Sequence, residues 1–128
     1  MLTQTDAINM QEELSQCVVQ YDDLPHPVRV IAGADVEYDK DSNSNAGTMV
    51  LLDADTKEML EVATHVMTAT FPYIPSLFSF REMLPLVKAY RKLHRKPGAI
   101  VCDGHRLGKP HFLFFRHDIR RPDFVLCM

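Results

Sequence analysis

The sequence predicts an α/β domain with a mixed sheet, in which a three-strand antiparallel meander is followed by alternating helices and strands. Three observations carry this. Residues 28–70 divide into three β-rich runs separated by two polar turns. Apolar residues recur with a helical period from Ser76 to His94. The wholly apolar segment Ala99–Cys102 comes next and has the character of a buried central strand.

The first element, Thr5 to Asp22, reads as an amphipathic helix, because Ala7, Met10, Leu14, Cys17, Val18 and Tyr21 recur at helical spacing. Thr5 or Asp6 is the expected cap. Asp22 to Pro27 breaks the pattern, and Val28 to Tyr38 reads as the first strand. Asp39 to Asn45 is a polar turn, Gly47 to Leu52 the second strand and Asp53 to Lys57 another turn. Met59 to Thr70 is the third strand, with Leu60, Val62, Thr64, Val66 and Thr68 on one face. Phe71 to Pro75 holds too much proline for a regular element. Pro85 lies inside the next periodic segment, and proline is comfortable only in a first turn, so the long helix is predicted to begin near Arg81 to Leu84. Lys96-Pro97-Gly98 ends it. His111 to Arg121 is weakly helical, and Phe124 to Cys127 is a last short strand. This order of elements resembles that of RNase H-like domains.

With 128 residues and 46% hydrophobic content, the chain suits one domain with one core, spanning residues 1–128. The three cysteines, Cys17, Cys102 and Cys127, are odd in number and widely spaced, which argues against a disulfide framework or a zinc site and for a reducing, cytoplasmic setting. No apolar run has the length of a membrane span, and the N-terminus lacks the pattern of a signal peptide. No membrane association is expected. Net charge is −3, but its distribution is uneven. Between Lys88 and Arg121 the chain carries Lys88, Arg91, Lys92, Arg95, Lys96, Arg106, Lys109, Arg116, Arg120 and Arg121 against only Asp103 and Asp118. A basic half can hold phosphates within an acidic chain, although a solvated helix face accounts for Lys88 to Lys96.

Three carboxylates stand out by position. Asp35 lies in the middle of the first apolar strand, and Asp103 follows the short apolar strand. Glu82 stands in line with Leu86, Ala89 and Leu93 and so faces the apolar side of the long helix. Buried carboxylates are costly unless something holds them. Mg²⁺ takes hard oxygen ligands and bridges carboxylates to phosphate, and a pair of such ions serves phosphodiester cleavage. Each residue also has an ordinary explanation. Asp103-Gly104 is a common turn pair, Ser79 and Glu82 match a capping box, and Asp35 suits an exposed strand face. The run Asp39, Asp41, Asn43, Asn45 starts like a calcium loop but has Ser44 in place of its glycine and Val50 in place of its glutamate. The six histidines show no paired ligand spacing, and Cys102 reads as packing.

Ile31-Ala32-Gly33-Ala34-Asp35-Val36, Pro72-Tyr73-Ile74-Pro75, Leu77-Phe78-Ser79-Phe80-Arg81-Glu82 and Val101-Cys102-Asp103-Gly104-His105 occur in that order. Together they resemble the motifs of the endonuclease V family, with matching spacing from Tyr73 to Glu82 and from Glu82 to Asp103. The resemblance runs from the N-terminal helix to about Pro110. It implies a nuclease with Mg²⁺ as cofactor, and Mn²⁺ as its substitute, that cleaves DNA or RNA near a deaminated base, inosine. It also implies that Asp35 and Asp103 are principal metal ligands and that Glu82 completes the acidic site. Pro72, Tyr73, Ile74 and Pro75 would form a wedge beside the lesion, replacing the stacking of a base turned out of the helix. Gly104 would allow close approach to that base, and Lys109 would hold a phosphate.

Departures accompany the likeness. Ser76 replaces the glycine after the PYIP motif, Arg106 the glycine after the DGH motif, and Lys109 the histidine of the HP motif. Relative to the family the chain is incomplete at its C-terminus. Two further readings therefore stay open: a catalytically impaired nucleic-acid-binding pseudoenzyme, and an assembly module that forms a homodimer through the surface a short C-terminus leaves uncovered.

Overall fold

A computed structural model describes residues 3–16, 27–70, 78–102 and 124–127, with backbone alone at 14–15, 78–80 and 124–127. Its first helix, α1 (Gln4–Ser15), starts before the apolar period does. The Thr3 hydroxyl accepts the Asp6 N–H at 3.1 Å, and the Asp6 carboxylate accepts the Thr3 N–H at 3.1 Å and the Thr3 hydroxyl at 2.7 Å. This reciprocal capping box corrects the expected cap at Thr5 or Asp6, because a pair three residues apart satisfies two otherwise orphaned donors at once. Donation from the Thr3 hydroxyl, and then from its N–H, holds the Asp6 carboxyl below the usual range. Ala7 is buried, but Met10 is 37% exposed and does not join the inward face.

Three strands follow as an antiparallel meander: β1 (Val30–Asp39), β2 (Ser44–Asp53) and β3 (Met59–Thr68). The helix α2 (Phe78–Lys92) leads to β4 (Ala99–Cys102), and β5 (Phe124–Cys127) comes last. The five strands lie in the order β3-β2-β1-β4-β5, with β4 parallel to β1 and β5 parallel to β4. The predicted mixed sheet with an α/β second half is therefore the observed architecture. Residues 17–26, 71–77 and 103–123, which carry the rest of the first predicted helix, the proline-rich segment and the last predicted helix, lie outside the described residues.

Both hairpins are tied by aspartates. Asp39 accepts the Asp41 N–H at 3.0 Å and the Ser42 hydroxyl at 2.6 Å, while Asn43 takes a left-handed φ of 54°. Asn tolerates that conformation better than most residues. This connection is short enough that Ser44 and Asn45, expected in the turn, already belong to β2. Asp53 likewise accepts the N–H groups of Asp55 and Thr56, each at 2.9 Å.

The helix α2 packs on one face of the sheet and makes the core with it. Leu86, Val87, Ala89, Tyr90 and Leu93 meet Ala32, Met49, Leu51, Ala63 and Ile100. On β3, Ala63 faces this core, so the alternate row of Val62, Thr64, Val66 and Thr68 turns outward. Val62 is 48% and Val66 64% exposed. The row that marked β3 as a strand is thus the uncovered one, because a pleated strand shows successive side chains to opposite faces and α2 lies on the other.

The helix starts at Phe78, not near Arg81 to Leu84, and carries Pro85 in its interior. Proline has no N–H, so the Arg81 carbonyl loses its intrahelical donor. Asn45 on β2, 1% exposed, supplies the substitute: its Nδ2 donates to the Arg81 carbonyl at 3.2 Å. One residue pair further along β2, Gly47 lies directly under the helix. A Cβ there would stand 2.5 Å from the Pro85 carbonyl carbon and 2.7 Å from the Leu86 nitrogen. At its other end the helix is held by Glu61 of β3, which accepts the His94 N–H at 2.9 Å, and by Lys96, whose Nζ donates to the Tyr90 carbonyl at 2.8 Å.

A double-mutant cycle checks the substitution of one donor for another. Asn45→Ala in the wild type is expected to cost about 1–3 kcal/mol in urea unfolding, since it leaves a buried carbonyl unpaired. In a Pro85→Ala background, where the backbone N–H is restored, the same change is expected to cost about 1 kcal/mol less.

Candidate functional site

The alternation of β1 sorts its residues between two faces. Ala32, Ala34, Val36 and Tyr38 turn toward α2, while Gly33, Asp35 and Glu37 are exposed on the other face. On that open face the register places Asp35 beside Thr48, and Thr48 beside Thr64. The two threonine hydroxyls are 3.1 Å apart. Asp35 thereby ends a polar row flanked by Gly33, Val50 and Val62 on one side and by Glu37, Ala46 and Val66 on the other. The Asp35 Oδ1 accepts the Val36 N–H at 2.9 Å.

A depression of about 380 Å³ opens beside Asp35, lined by Gly33, Ala34, Asp35, Thr48, Val50, Val101 and Cys102. Gly33 leaves it open, for a Cβ at that position would meet nothing within 4 Å. In the parallel pairing of β1 with β4, Ala34 is opposite Cys102. The next residue after Ala34 is Asp35, and the next after Cys102 is Asp103, which lies outside the described residues.

Glu82 is half-buried on α2, on the same side as the buried Leu86, Ala89 and Leu93. Its Oε1 accepts a hydrogen bond from the Tyr38 hydroxyl. Asp35 and Glu82 thus sit on opposite faces of β1, one open and one covered by α2. Among the described residues, no three histidine, cysteine, aspartate or glutamate side chains gather around one point. The candidate wedge, Pro72, Tyr73, Ile74 and Pro75, and the candidate contacts Gly104 and Lys109 lie outside the described residues. The oxygen donors at the rim of the depression, the Asp35 carboxylate and the Thr48 hydroxyl, suit a hard cation such as Mg²⁺ or Mn²⁺.

Sequence reasoning missed Tyr38, Asn43 and Arg81. Arg81 Cζ lies 5.4 Å from the centroid of the Tyr38 ring, and its Nη2 donates to Asn43 Oδ1 at 3.1 Å. The strand alternation that puts Ala32 inside also puts Tyr38 inside, and that signal could have found it. Of the basic groups on α2, Lys92 donates to the Thr64 carbonyl at 2.9 Å. Burial, and then the charges of Lys92 and Lys88, hold the His65 ring below its ordinary value of 6.5.

A helix-covered mixed sheet with an aspartate exposed beside an open depression on its central strand defines an RNase H-like α/β domain with a hard-oxygen site. The Endonuclease V family model matches residues 12–114. An endonuclease V from Trichormus variabilis is 33% identical over 112 residues, covering 88% of this chain and 51% of that protein. The crystal structure of the endonuclease V of Streptomyces avermitilis superposes with a TM-score of 0.75 at 34% identity, covering 87% of this chain and 49% of that one. The endonuclease V of Ciona intestinalis, solved in complex with a 23mer DNA containing an inosine followed by a ribo-adenosine, shares the fold with a TM-score of 0.76 at 21% identity, over 91% of this chain and 53% of that one. The chain belongs to the endonuclease V family. It spans about half the length of the curated relatives it matches. No helix among the described residues is long and apolar enough to cross a membrane.

The open space above Gly33 makes a direct prediction. Gly33→Ala should leave the urea midpoint unchanged or raise stability by up to about 1 kcal/mol, through the less flexible unfolded chain. A large loss would mean that the depression is closed in solution.

Proposed function

We propose that the chain is a metal-dependent endonuclease domain that cleaves a phosphodiester bond near a deaminated base, inosine, in DNA or RNA. The observation that carries this reading is the β1–β4 register. Ala34 and Cys102 are partners on adjacent parallel strands, and the sequence continues from each into an aspartate. Parallel central strands deliver the residues at their ends to a common edge, the usual place for a site in an open α/β sheet. Membership of the family supports the nuclease activity, and the inosine-containing DNA bound by the Ciona intestinalis relative supports the substrate class.

In this reading Asp35 and Asp103 hold the cation, with Glu82 as the third carboxylate of the acidic site. Bound there, Mg²⁺ or Mn²⁺ supplies a water of lowered pKa and neutralises charge on the leaving oxygen. Asp35 fixes its own carboxylate through the Val36 N–H, and the depression beside it leaves room for a phosphate to approach. Pro72, Tyr73, Ile74 and Pro75 act as the wedge, Gly104 admits the turned-out base, and Lys109 binds phosphate as a point charge.

The test is nicking of inosine-containing single-stranded DNA and RNA with Mg²⁺ or Mn²⁺. Cleavage near inosine is expected, and Asp35→Ala should reduce it by about a hundredfold or more. Full activity in Asp35→Ala would refute the assignment. No cleavage by a folded wild-type chain would leave nucleic-acid binding without turnover.

The open sheet face favours a second, compatible reading, in which two copies of the chain pair through it. Val62 and Val66 are exposed there beside Thr48, Val50 and Thr64, and sheets with parallel strands normally have both faces covered. A dimer by light scattering is expected, and Val66→Lys should convert it to a monomer. A wild-type monomer at high concentration would remove this reading and leave the nuclease reading untouched.

A further inference from the structure

The hairpin between β1 and β2 grips the first turns of α2 at several points. The Tyr38 hydroxyl donates to Glu82 Oε1. Arg81, the preceding residue, lies over the Tyr38 ring at 5.4 Å and donates to Asn43 Oδ1 at 3.1 Å. The Arg81 carbonyl is held from below by Asn45 at 3.2 Å. Both members of the Arg81–Glu82 pair are therefore fixed by side chains of one hairpin.

The Tyr38–Glu82 bond has a feature that packing alone does not require. It joins β1, which carries Asp35, to α2, which carries Glu82. A phenol donating to a carboxylate makes a charge-assisted bond, stronger than a neutral one. A carboxylate offers about four acceptor positions on its two oxygens, so accepting from Tyr38 is compatible with a further role. A glutamate loses considerable rotamer freedom when it is immobilised. If Tyr38 already holds it, that loss does not fall on the binding step.

We propose that Tyr38 is a positioning residue for Glu82. Its hydroxyl presets the carboxylate and, with it, the spacing of α2 against the Asp35-bearing strand before a divalent cation is bound. This rests on the reading that Glu82 belongs to the acidic site. A purely structural tyrosine would act through its ring, which phenylalanine supplies equally well and which keeps the contact with Arg81.

The experiment titrates the full 128-residue chain with Mn²⁺ alone and follows free Mn²⁺ by electron paramagnetic resonance, so that no turnover is needed. Wild type, Tyr38→Phe, Glu82→Gln and the double variant are compared, with urea unfolding to establish that each is folded. Each single change is expected to weaken Mn²⁺ binding about tenfold, the usual scale for groups that orient a ligand. The double variant is expected to bind within about twofold of Glu82→Gln, because Tyr38 acts only through Glu82. Should Tyr38→Phe fail to fold, Glu82→Asp, which draws the carboxylate back from an intact Tyr38, is expected to give the same loss.

Wild-type affinity in Tyr38→Phe, with a loss in Glu82→Gln, would overturn the role of Tyr38 and leave that of Glu82 standing. Equal losses from Tyr38→Phe in both backgrounds would overturn it too. No effect of Glu82→Gln, or no Mn²⁺ uptake by the wild type, would remove the underlying reading of Glu82 and the proposal with it.

Discussion

The close seat of α2 on β2 governs the rest of the molecule. A helix with an internal proline has one carbonyl without its donor and a bulky ring in its path. Here both difficulties are met by two residues of one strand. Asn45 gives the Arg81 carbonyl its hydrogen bond, and Gly47 offers no side chain where the backbone at Pro85 and Leu86 comes down on the sheet. The acceptor also settles which way the Asn45 amide points, since only its nitrogen can donate to a carbonyl. With the helix anchored there, Leu86, Val87 and Tyr90 enter the core and the Arg81–Glu82 pair is carried to the end of the hairpin.

That seat also makes the sheet two-faced. Everything α2 touches becomes interior, and the alternate residues of β1, β2 and β3 become an outer surface. The division separates packing from chemistry. The covered face holds Ala32, Met49, Leu51 and Ala63, all buried. The open face holds Asp35, the paired threonines and the depression that Gly33 leaves. An aspartate on the covered face would have to be desolvated against aliphatic side chains, whereas on the open face it stays hydrated until a ligand arrives.

Much of this was legible in the sequence, and the misses have specific causes. The meander, the helix and the short apolar strand were found because each has its own hydrophobic period. The start of α2 was misplaced because the rule against interior proline is local, whereas the donor that relieves it comes from Asn45, far away in the chain. The cap of α1 was assigned to Thr5 or Asp6 because Thr3 lies outside the apolar repeat, although its pairing with Asp6 follows a fixed three-residue interval. On β3 the period was right and the side was not. Alternation says that two faces differ, but only the position of α2 says which one is covered. Asp35 could be singled out from its apolar surroundings, but its place at the rim of a depression depends on β4, which joins β1 only through folding.

Strand geometry also limits how Tyr38 and Asp35 can influence each other. They are three residues apart on β1, and an odd separation puts them on opposite faces. The Tyr38 hydroxyl therefore cannot act on Asp35 by contact. What a rigid strand can transmit is position. The main-chain ladder to β2 runs in register from Val30 to Asp39 and holds both residues in one frame, and Ala34 and Gly33 tie the same frame to β4. A bond from that frame to α2 fixes where the helix begins relative to every group the frame carries. A carboxylate on the helix and one on the strand can then keep a constant relation even though no side chain joins them.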